Sequence, residues 1–284
     1  MSEQIFLQVS EDFFVDEEFA AAFEQQGLVS IDSIFDFSGG TELVKSNISK
    51  YRTRMTFDIT GPDTTLFLKR YDNPPILDQV KRWTQGGRRQ SIADFDRLPA
   101  EILNEAGIKT PKTIAYGSQF KGMFERRSFI VTEKIPAAES IERKLPDFIL
   151  EPSAPQAARA KRDFINALAD FVRKFHETGY FHRDLYFAHI FFGENGEFYL
   201  IDLQRTFKPK ASAFKYRVKD IAQLYYSAPG NYFSRADRLR FYLRYAGLST
   251  LTASDRFFIR LVKSKAWRIA EHDMRHGRQV PFAM

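Results

Sequence analysis

The fold class this 284-residue sequence predicts is α+β and two-lobed, with an N-terminal antiparallel sheet lobe and a mostly helical C-terminal lobe. Three observations carry that expectation. Alternating strand patterns and turn signals dominate before about residue 136, helical apolar spacing dominates after it, and a stretch holding Pro152, Ser153 and Pro155 marks the change of character. The domains read as residues 1–40, an N-terminal extension to which the sequence assigns no role, 41–135, the sheet lobe, and 136–284, the helical lobe.

The extension mixes acids with aromatics and ends in Ser38-Gly39-Gly40. From Arg52 to Ile59 polar and apolar residues alternate, Gly61-Pro62-Asp63 turns the chain, and Thr65–Lys69 follows as a second strand of an antiparallel hairpin. Residues 86–106 read as one helix, with Pro99 starting or kinking a turn because it has no N–H to donate. Ser128–Ile135 is a further strand that stops at Pro136. Ala157–Glu177 has a helical apolar period through Phe164, Leu168, Val172 and Phe175, closed by Gly179, and residues 217–274 are mostly helical.

Composition excludes several classes. With no cysteine there is no disulfide scaffold, thiolate-zinc site or cysteine nucleophile. The N-terminus is acidic where an export signal needs basic residues, and no run of about 18 apolar residues occurs, so the expected chain is soluble and unexported. From Leu203 onward 17 Lys and Arg face 5 Asp and Glu, whereas the whole chain carries only +6. A basic C-terminal part predicts an anionic partner, the plainer reading being a set of solvated helix faces. No helix-turn-helix, zinc or aromatic RNA-binding signature is present, so nucleic acid is not that partner.

The chemistry sits in Phe181-His182-Arg-Asp184-Leu-Tyr-Phe-Ala-His189-Ile-Phe-Phe192 and in Phe198-Tyr-Leu-Ile-Asp202. Asn195-Gly196 between the two apolar runs signals an antiparallel hairpin. Asp184 and His189 then lie in the loop entering the first strand and Asp202 just past the second, bringing two carboxylates and an imidazole to one end. Such a cluster suits metal-assisted phosphate chemistry, with one carboxylate on Mg²⁺ and another accepting a proton from an attacking hydroxyl.

A strand Lys, a helix acid, His-Arg-Asp with a ligand five residues on, and an Asp after a short hairpin resemble the protein-kinase-like signature. In detail the chain is similar to one family, the bacterial lipopolysaccharide kinases of the WaaP/InaA type. The residues are His182-Arg-Asp-Leu-Tyr-Phe-Ala-His189, with His where protein kinases have Asn, Ile201-Asp-Leu-Gln-Arg205 in place of Asp-Phe-Gly, Arg217–Ser227 and Asp237–Tyr245. Ser128–Glu133 and Gly107–Pro111 fit as well, so the resemblance spans roughly residues 45–270.

The resemblance implies a protein-kinase-like fold and transfer of phosphate from ATP to a sugar hydroxyl of the lipopolysaccharide inner core. The enzyme would work in the cytoplasm, peripherally at the inner face of the inner membrane. Lys69 would hold the α- and β-phosphates of ATP, its other reading being an exposed strand-end Lys. Asp184 would be the catalytic base and Asp202 a Mg²⁺ ligand. His189 would take the second metal-facing position or hydrogen-bond Asp184 or a phosphate, since imidazole is softer than the oxygens Mg²⁺ prefers. Thr132, Glu133, Lys134 and Ile135 would be the hinge that meets adenine through backbone groups. Arg183 would pair with a substrate phosphate or with the activation segment, and His176 and His182 would be structural.

Two departures stand out. No Gly-x-Gly-x-x-Gly precedes Lys69, and the candidate loop Ser46–Lys50 has no glycine, which leaves Lys45 or Lys50 to supply charge. Asp96 sits about where the family places the helix Glu that pairs with the strand Lys, with Asp94 and Glu101 as rivals. The absence of Ala-Pro-Glu weakens a protein acceptor, and Lys208, Lys210, Lys215, Arg217, Arg235, Arg238, Arg240 and Arg244 would attract an anionic glycolipid. The alternatives are a kinase for another small molecule or protein and a nucleotide-binding pseudokinase scaffold.

Overall fold

The structure is a computed structural model that describes residues 4–43, 50–59, 64–86, 90–148 and 155–281. The chain divides into two compact units, Met1–Glu101 with Pro111–Ile135, and Ile102–Thr110 with Pro136–Met284. Ile102–Thr110, which the sequence reading put in the sheet lobe, thus groups with the second unit.

The first unit is built on strands β1 (Phe6–Ser10), β2 (Phe13–Asp16), β3 (Thr41–Glu42), β4 (Arg52–Ile59), β5 (Thr64–Asp72), β6 (Thr113–Lys121) and β7 (Phe124–Glu133). Among the described residues they form one antiparallel sheet in the order β1-β2-β6-β7-β5-β4-β3. Residues 4–40, without an assigned role in the sequence, therefore supply a sheet edge together with helices α1 (Ala20–Gln25) and α2 (Ile31–Asp36). Their Phe13, Val15, Phe23 and Ile34 are sealed into one core with Leu66, Leu68 and Phe129. Each such burial contributes about 1.5–3 kcal/mol. Gly117 makes the β2–β6 junction possible, because a Cβ there would lie 2.7 Å from the Asp12 carbonyl oxygen.

Alternation along β5 explains Lys69. Leu66 and Leu68 point into the core, so Phe67 and Lys69 occupy the opposite, half-buried face, with Lys69 opposite Arg54 on β4 and Ile130 on β7. The turn 61–63 and Lys45 lie outside the described residues.

Of the helix expected over 86–106 the structure shows α4 (Asp94–Glu105), and a further helix that the sequence did not signal, α3 (Ile76–Gly86), lies ahead of it. The chain leaves helical geometry ahead of α4 because side chains of β7 capture its backbone: Ile92 N donates to the Glu125 carboxylate at 2.7 Å and Ala93 N to Ser128 Oγ at 3.2 Å. Ser91 and Asp94 then cap α4 reciprocally. Pro99 neither starts nor ends it; the helix continues through that position.

In the second unit α6 (Pro155–Glu177) is a long core element, with Leu168, Val172 and Phe175 buried. It is accompanied by α5 (Ile141–Phe148), α7 (Ala213–Ser227), α8 (Arg235–Ala246) and α9 (Ala253–Arg275). Ser234 and Thr252 start the last two with reciprocal caps. A small sheet runs in the order β10-β9-β8 from β8 (Ala138–Ser140), β9 (Ile190–Gly193) and β10 (Phe198–Leu200). The β9–β10 hairpin is the expected one, Ile190 opposite Leu200 and Phe192 opposite Phe198, turning at Gly196 with φ +79°. Leu200 N donates to the Lys109 carbonyl at 2.9 Å, which ties the 102–110 segment to this hairpin.

Candidate active site

In the first unit Lys69 Nζ forms an ion pair with Asp96 Oδ2, both side chains largely withdrawn from water. The rivals are engaged elsewhere: Arg97 takes Asp94 at 2.8 Å and Glu101 at 2.8 Å. Their spacing allows this, Asp94 and Glu101 being the i−3 and i+4 neighbours of Arg97 on α4. Lys50 is exposed. At the expected hinge, Thr132 pairs with Phe67 and Thr113, and the N–H groups of Glu133 and Lys134 donate to the Lys112 and Thr65 carbonyls, each at 2.9 Å. Those two donors are committed to the sheet, so an adenine contact through N–H at Glu133 or Lys134 does not fit. Ile135 is buried.

In the second unit the loop Phe181–His189 is shaped from beneath by α7. Asp220, fully buried, accepts the backbone N–H groups of His182 and Arg183, each at 2.8 Å, and lies 3.3 Å from His176 Nε2. Three donors converge on one carboxylate, an arrangement that compensates its desolvation. His176 Nδ1 meets Tyr245 Oη at 2.8 Å. The loop accepts a left-handed Arg183, φ +69°, a conformation costing a non-glycine residue about 1 kcal/mol or more. The Arg183 guanidinium lies over the Phe207 ring, 5.1 Å from its centre, so its partner in the following segment is an aromatic face.

Asp184 is the best-surrounded carboxylate of the loop. Arg205 Nη1 contacts both its oxygens, Lys219 Nζ lies 4.0 Å from Oδ1, and Gln223 Nε2 lies 3.5 Å from it. Lys219 and Gln223, at i and i+4 on α7, both donate to the Arg183 carbonyl, and Gln223 Oε1 accepts Leu185 N at 3.1 Å. Burial pushes the Lys219 ammonium down to about 8, with the Asp184 charge opposing and Arg205 and Arg183 assisting. Neither Lys219 nor Gln223 was singled out from the sequence; only their helical spacing within Arg217–Ser227 hinted at a shared face.

His189 is fixed by the loop. Its Nδ1 lies 2.7 Å from the Asp184 carbonyl oxygen, which can only accept, so Nδ1 carries a proton and Nε2 is the nitrogen left to face a ligand. Nε2 is 3.8 Å from Asp202 Oδ2. Asp202 follows β10 in a left-handed conformation, φ +58°. The His182 ring is stacked 5.8 Å from that of His189, and its Nε2 donates to the Ile201 carbonyl at 3.0 Å. Burial lowers its pKa and so favours the neutral ring.

A divalent cation would thus meet an imidazole nitrogen and a carboxylate. Among the described residues no group of three or more such side chains gathers. The donor set fits an ion that takes most of its ligands from phosphate oxygens and water, the habit of Mg²⁺. Of the basic residues expected to meet an anionic acceptor, Arg238 is turned inward onto the Tyr225 and Ala228 carbonyls. Arg240 pairs with Asp237 and Arg244 with Asp170, so these three serve the unit itself.

A family model described as "Lipopolysaccharide kinase (Kdo/WaaP) family" matches residues 74–245. The lipopolysaccharide core heptose(I) kinase WaaP of Pseudomonas aeruginosa is 30% identical over 184 residues, covering 62% of this chain and 68% of that protein. Its namesake from Escherichia coli K12 is 28% identical over 235 residues, 80% and 87% of the two chains. A solved WaaP in complex with acyl carrier protein superposes with a TM-score of 0.66 at 22% identity, over 91% of this chain and 99% of that one. The fold is accordingly the two-lobed, kinase-like one, a sheet lobe followed by a helical lobe.

Proposed function

Because this chain belongs to the lipopolysaccharide kinase (Kdo/WaaP) family, we propose that it transfers the γ-phosphoryl group of ATP to a sugar hydroxyl of the lipopolysaccharide inner core. The observation that carries the reading is the loop in which Asp184 is oriented by Arg205, Lys219 and Gln223 while His189, locked through Nδ1, presents Nε2 near Asp202. Lys69, held by Asp96, would bind the α- and β-phosphates. Asp184 would accept the hydroxyl proton as the sugar oxygen bonds to phosphorus and the bond to the β-phosphate oxygen breaks, releasing ADP. Asp202 and His189 would hold Mg²⁺, which when bound neutralises charge on the β- and γ-phosphate oxygens. The chain's own contribution is alignment and charge placement.

Work at the cytoplasmic face of the inner membrane, in peripheral contact, belongs to the same proposal. No helix among the described residues is long and apolar enough to cross a membrane. We extend the acyl-carrier-protein partner of the solved WaaP to this chain as well. Supporting it, the second unit holds an apolar cavity of about 300 Å³ lined by Leu168, Phe187, Ile221 and Val262 with Arg235 and Lys263, the chemistry an acyl chain with an anionic head requires.

The test is transfer of labelled phosphate from [γ-³²P]ATP to purified core lipopolysaccharide and, in parallel, to generic protein acceptors. Label on the glycolipid that vanishes in Asp184→Asn supports the reading; label on protein, or on neither, overturns it.

A further inference from the structure

Helix α3 is inverted with respect to ordinary packing. Its buried side is polar: Gln79, 2% exposed, donates to the Pro74 and Glu125 carbonyls at 2.8 Å and 3.1 Å and accepts Glu125 N at 2.8 Å. Its outward side is apolar, with Leu77 82% exposed, Ile76 53% and Val80 40%. Rotating α3 to hide these residues would break three buried hydrogen bonds, so the exposed face is fixed by the sequence rather than left over from poor packing.

The patch continues beyond the helix. Trp83 stacks on Phe124 with ring centres 5.8 Å apart, and Met123, at the β6–β7 turn beside it, is 64% exposed. Lys81 on α3, and Lys121 and Arg126 on the two strands that flank the β6–β7 turn, are exposed. The acids close by are engaged, Asp78 accepting from Tyr51 Oη at 3.3 Å and Asp72 paired with Arg127 at 3.2 Å. Contiguous exposed apolar surface marks an interaction site. Aliphatic residues and Trp accompanied by cations match the boundary between acyl chains and anionic headgroups. A second copy of the chain fits poorly, because a two-fold contact would bring these cations against themselves.

We propose that α3 and the β6–β7 turn dock on the surface of an anionic lipid bilayer, with Leu77, Val80 and Met123 entering the headgroup boundary and Lys81, Lys121 and Arg126 meeting the phosphates. In purpose this rests on the reading above, since a glycolipid acceptor is itself bilayer-anchored, and it assigns that contact to the first unit rather than to the basic C-terminal part.

The test is flotation of the full chain with vesicles of phosphatidylcholine alone or with roughly one-third phosphatidylglycerol. The expected result is binding to the anionic vesicles only, weakened by salt, and weakened at least about tenfold by Leu77→Glu combined with Met123→Glu, the loss of inserted apolar surface. The same double variant keeps the wild-type thermal midpoint and full phosphorylation of lipid-free core oligosaccharide. Wild-type affinity in the double variant, no vesicle binding by the wild type, or a dimer that the double variant dissociates would overturn the proposal. Vesicle binding without transfer to any core oligosaccharide would support the docking surface and sink the kinase reading, so the two failures are distinguishable.

Discussion

Arg205 Nη1 lies 3.0 Å from Oδ1 and 2.9 Å from Oδ2 of Asp184. The Arg205 side chain is 52% exposed, and an ion pair that open to water is worth at most about 1 kcal/mol. Arg205→Ala should therefore lower turnover by no more than about fivefold, whereas Asp184→Asn should lower it by about 10²-fold or more with ATP binding retained. Steady-state kinetics on core oligosaccharide, with ATP calorimetry alongside, separate the two. Equal losses would assign the guanidinium a direct part in transfer.

The Lys69–Asp96 pair calls for a different perturbation. Removing one partner from a buried ion pair costs about 3–5 kcal/mol, and the 18% exposure of Lys69 places Asp96→Asn at the lower end. Lys69→Met with Asp96→Leu should recover most of that stability, because an apolar pair leaves no stranded charge, yet bind no ATP. Thermal unfolding and nucleotide calorimetry on the same samples check both halves; ATP binding by the apolar double variant would remove Lys69 from the phosphate site.

At the proposed metal ligands, Asp202→Ala should abolish Mg²⁺-dependent nucleotide binding. His189→Asn, which replaces a nitrogen donor by an oxygen, should keep Mg²⁺ binding and weaken Mn²⁺ binding relative to it. Titrations with each cation read this directly, and an unchanged Mn²⁺ to Mg²⁺ ratio would place His189 outside the coordination sphere.

Lys219 predicts an alkaline limit. Its ammonium is intact below about 8 and lost above it, so turnover should fall as pH rises through that value. Lys219→Arg, charged throughout, should abolish the fall. Stability runs the other way: between about 8 and the ordinary 10.5 the unfolded chain holds more protons than the folded one, so the fold gains stability with rising pH. Activity lost while the thermal midpoint holds or rises is the signature; joint loss would mean unfolding.

Glu125 supplies a second pH effect, of the same origin in burial but opposite in sign. Burial pushes its carboxyl up to about 7, against the Ser128 and Ile92 hydrogen bonds. From the ordinary 4.5 up to about 7 the folded chain holds the extra proton, so stability declines across that window, by up to roughly 3 kcal/mol, and levels off above it. Glu125→Gln should flatten the decline in urea unfolding measured from pH 5 to 8, while an unchanged slope would trace it to another group.

What the sequence made legible was periodic and local. The strands at 52–59 and 64–72, the long α6 and the β9–β10 hairpin each carry their own repeat or turn signal, and Asp184, His189 and Asp202 came with the hairpin. What it hid depends on partners distant in the chain. Phe13 and Val15 sit in a four-residue strand whose place is set by pairing with β6, about a hundred residues on. The break before α4 comes from Glu125 and Ser128, and α3 escaped notice because its apolar side faces outward. Asp96 was separable from Asp94 and Glu101 only once Arg97 was seen to hold both.

The Asp220 carboxylate, bound to the amides of His182 and Arg183, has a consequence for the order in which competence is acquired. The loop Phe181–His189 precedes its own template in the chain by almost forty residues, so while the protein is being made the loop emerges from the ribosome with nothing to copy its shape from. It takes the shape seen here only after α7 has followed it out and docked, and a chain interrupted before residue 220 would carry every residue of the His-Arg-Asp motif without the carboxylate that shapes it.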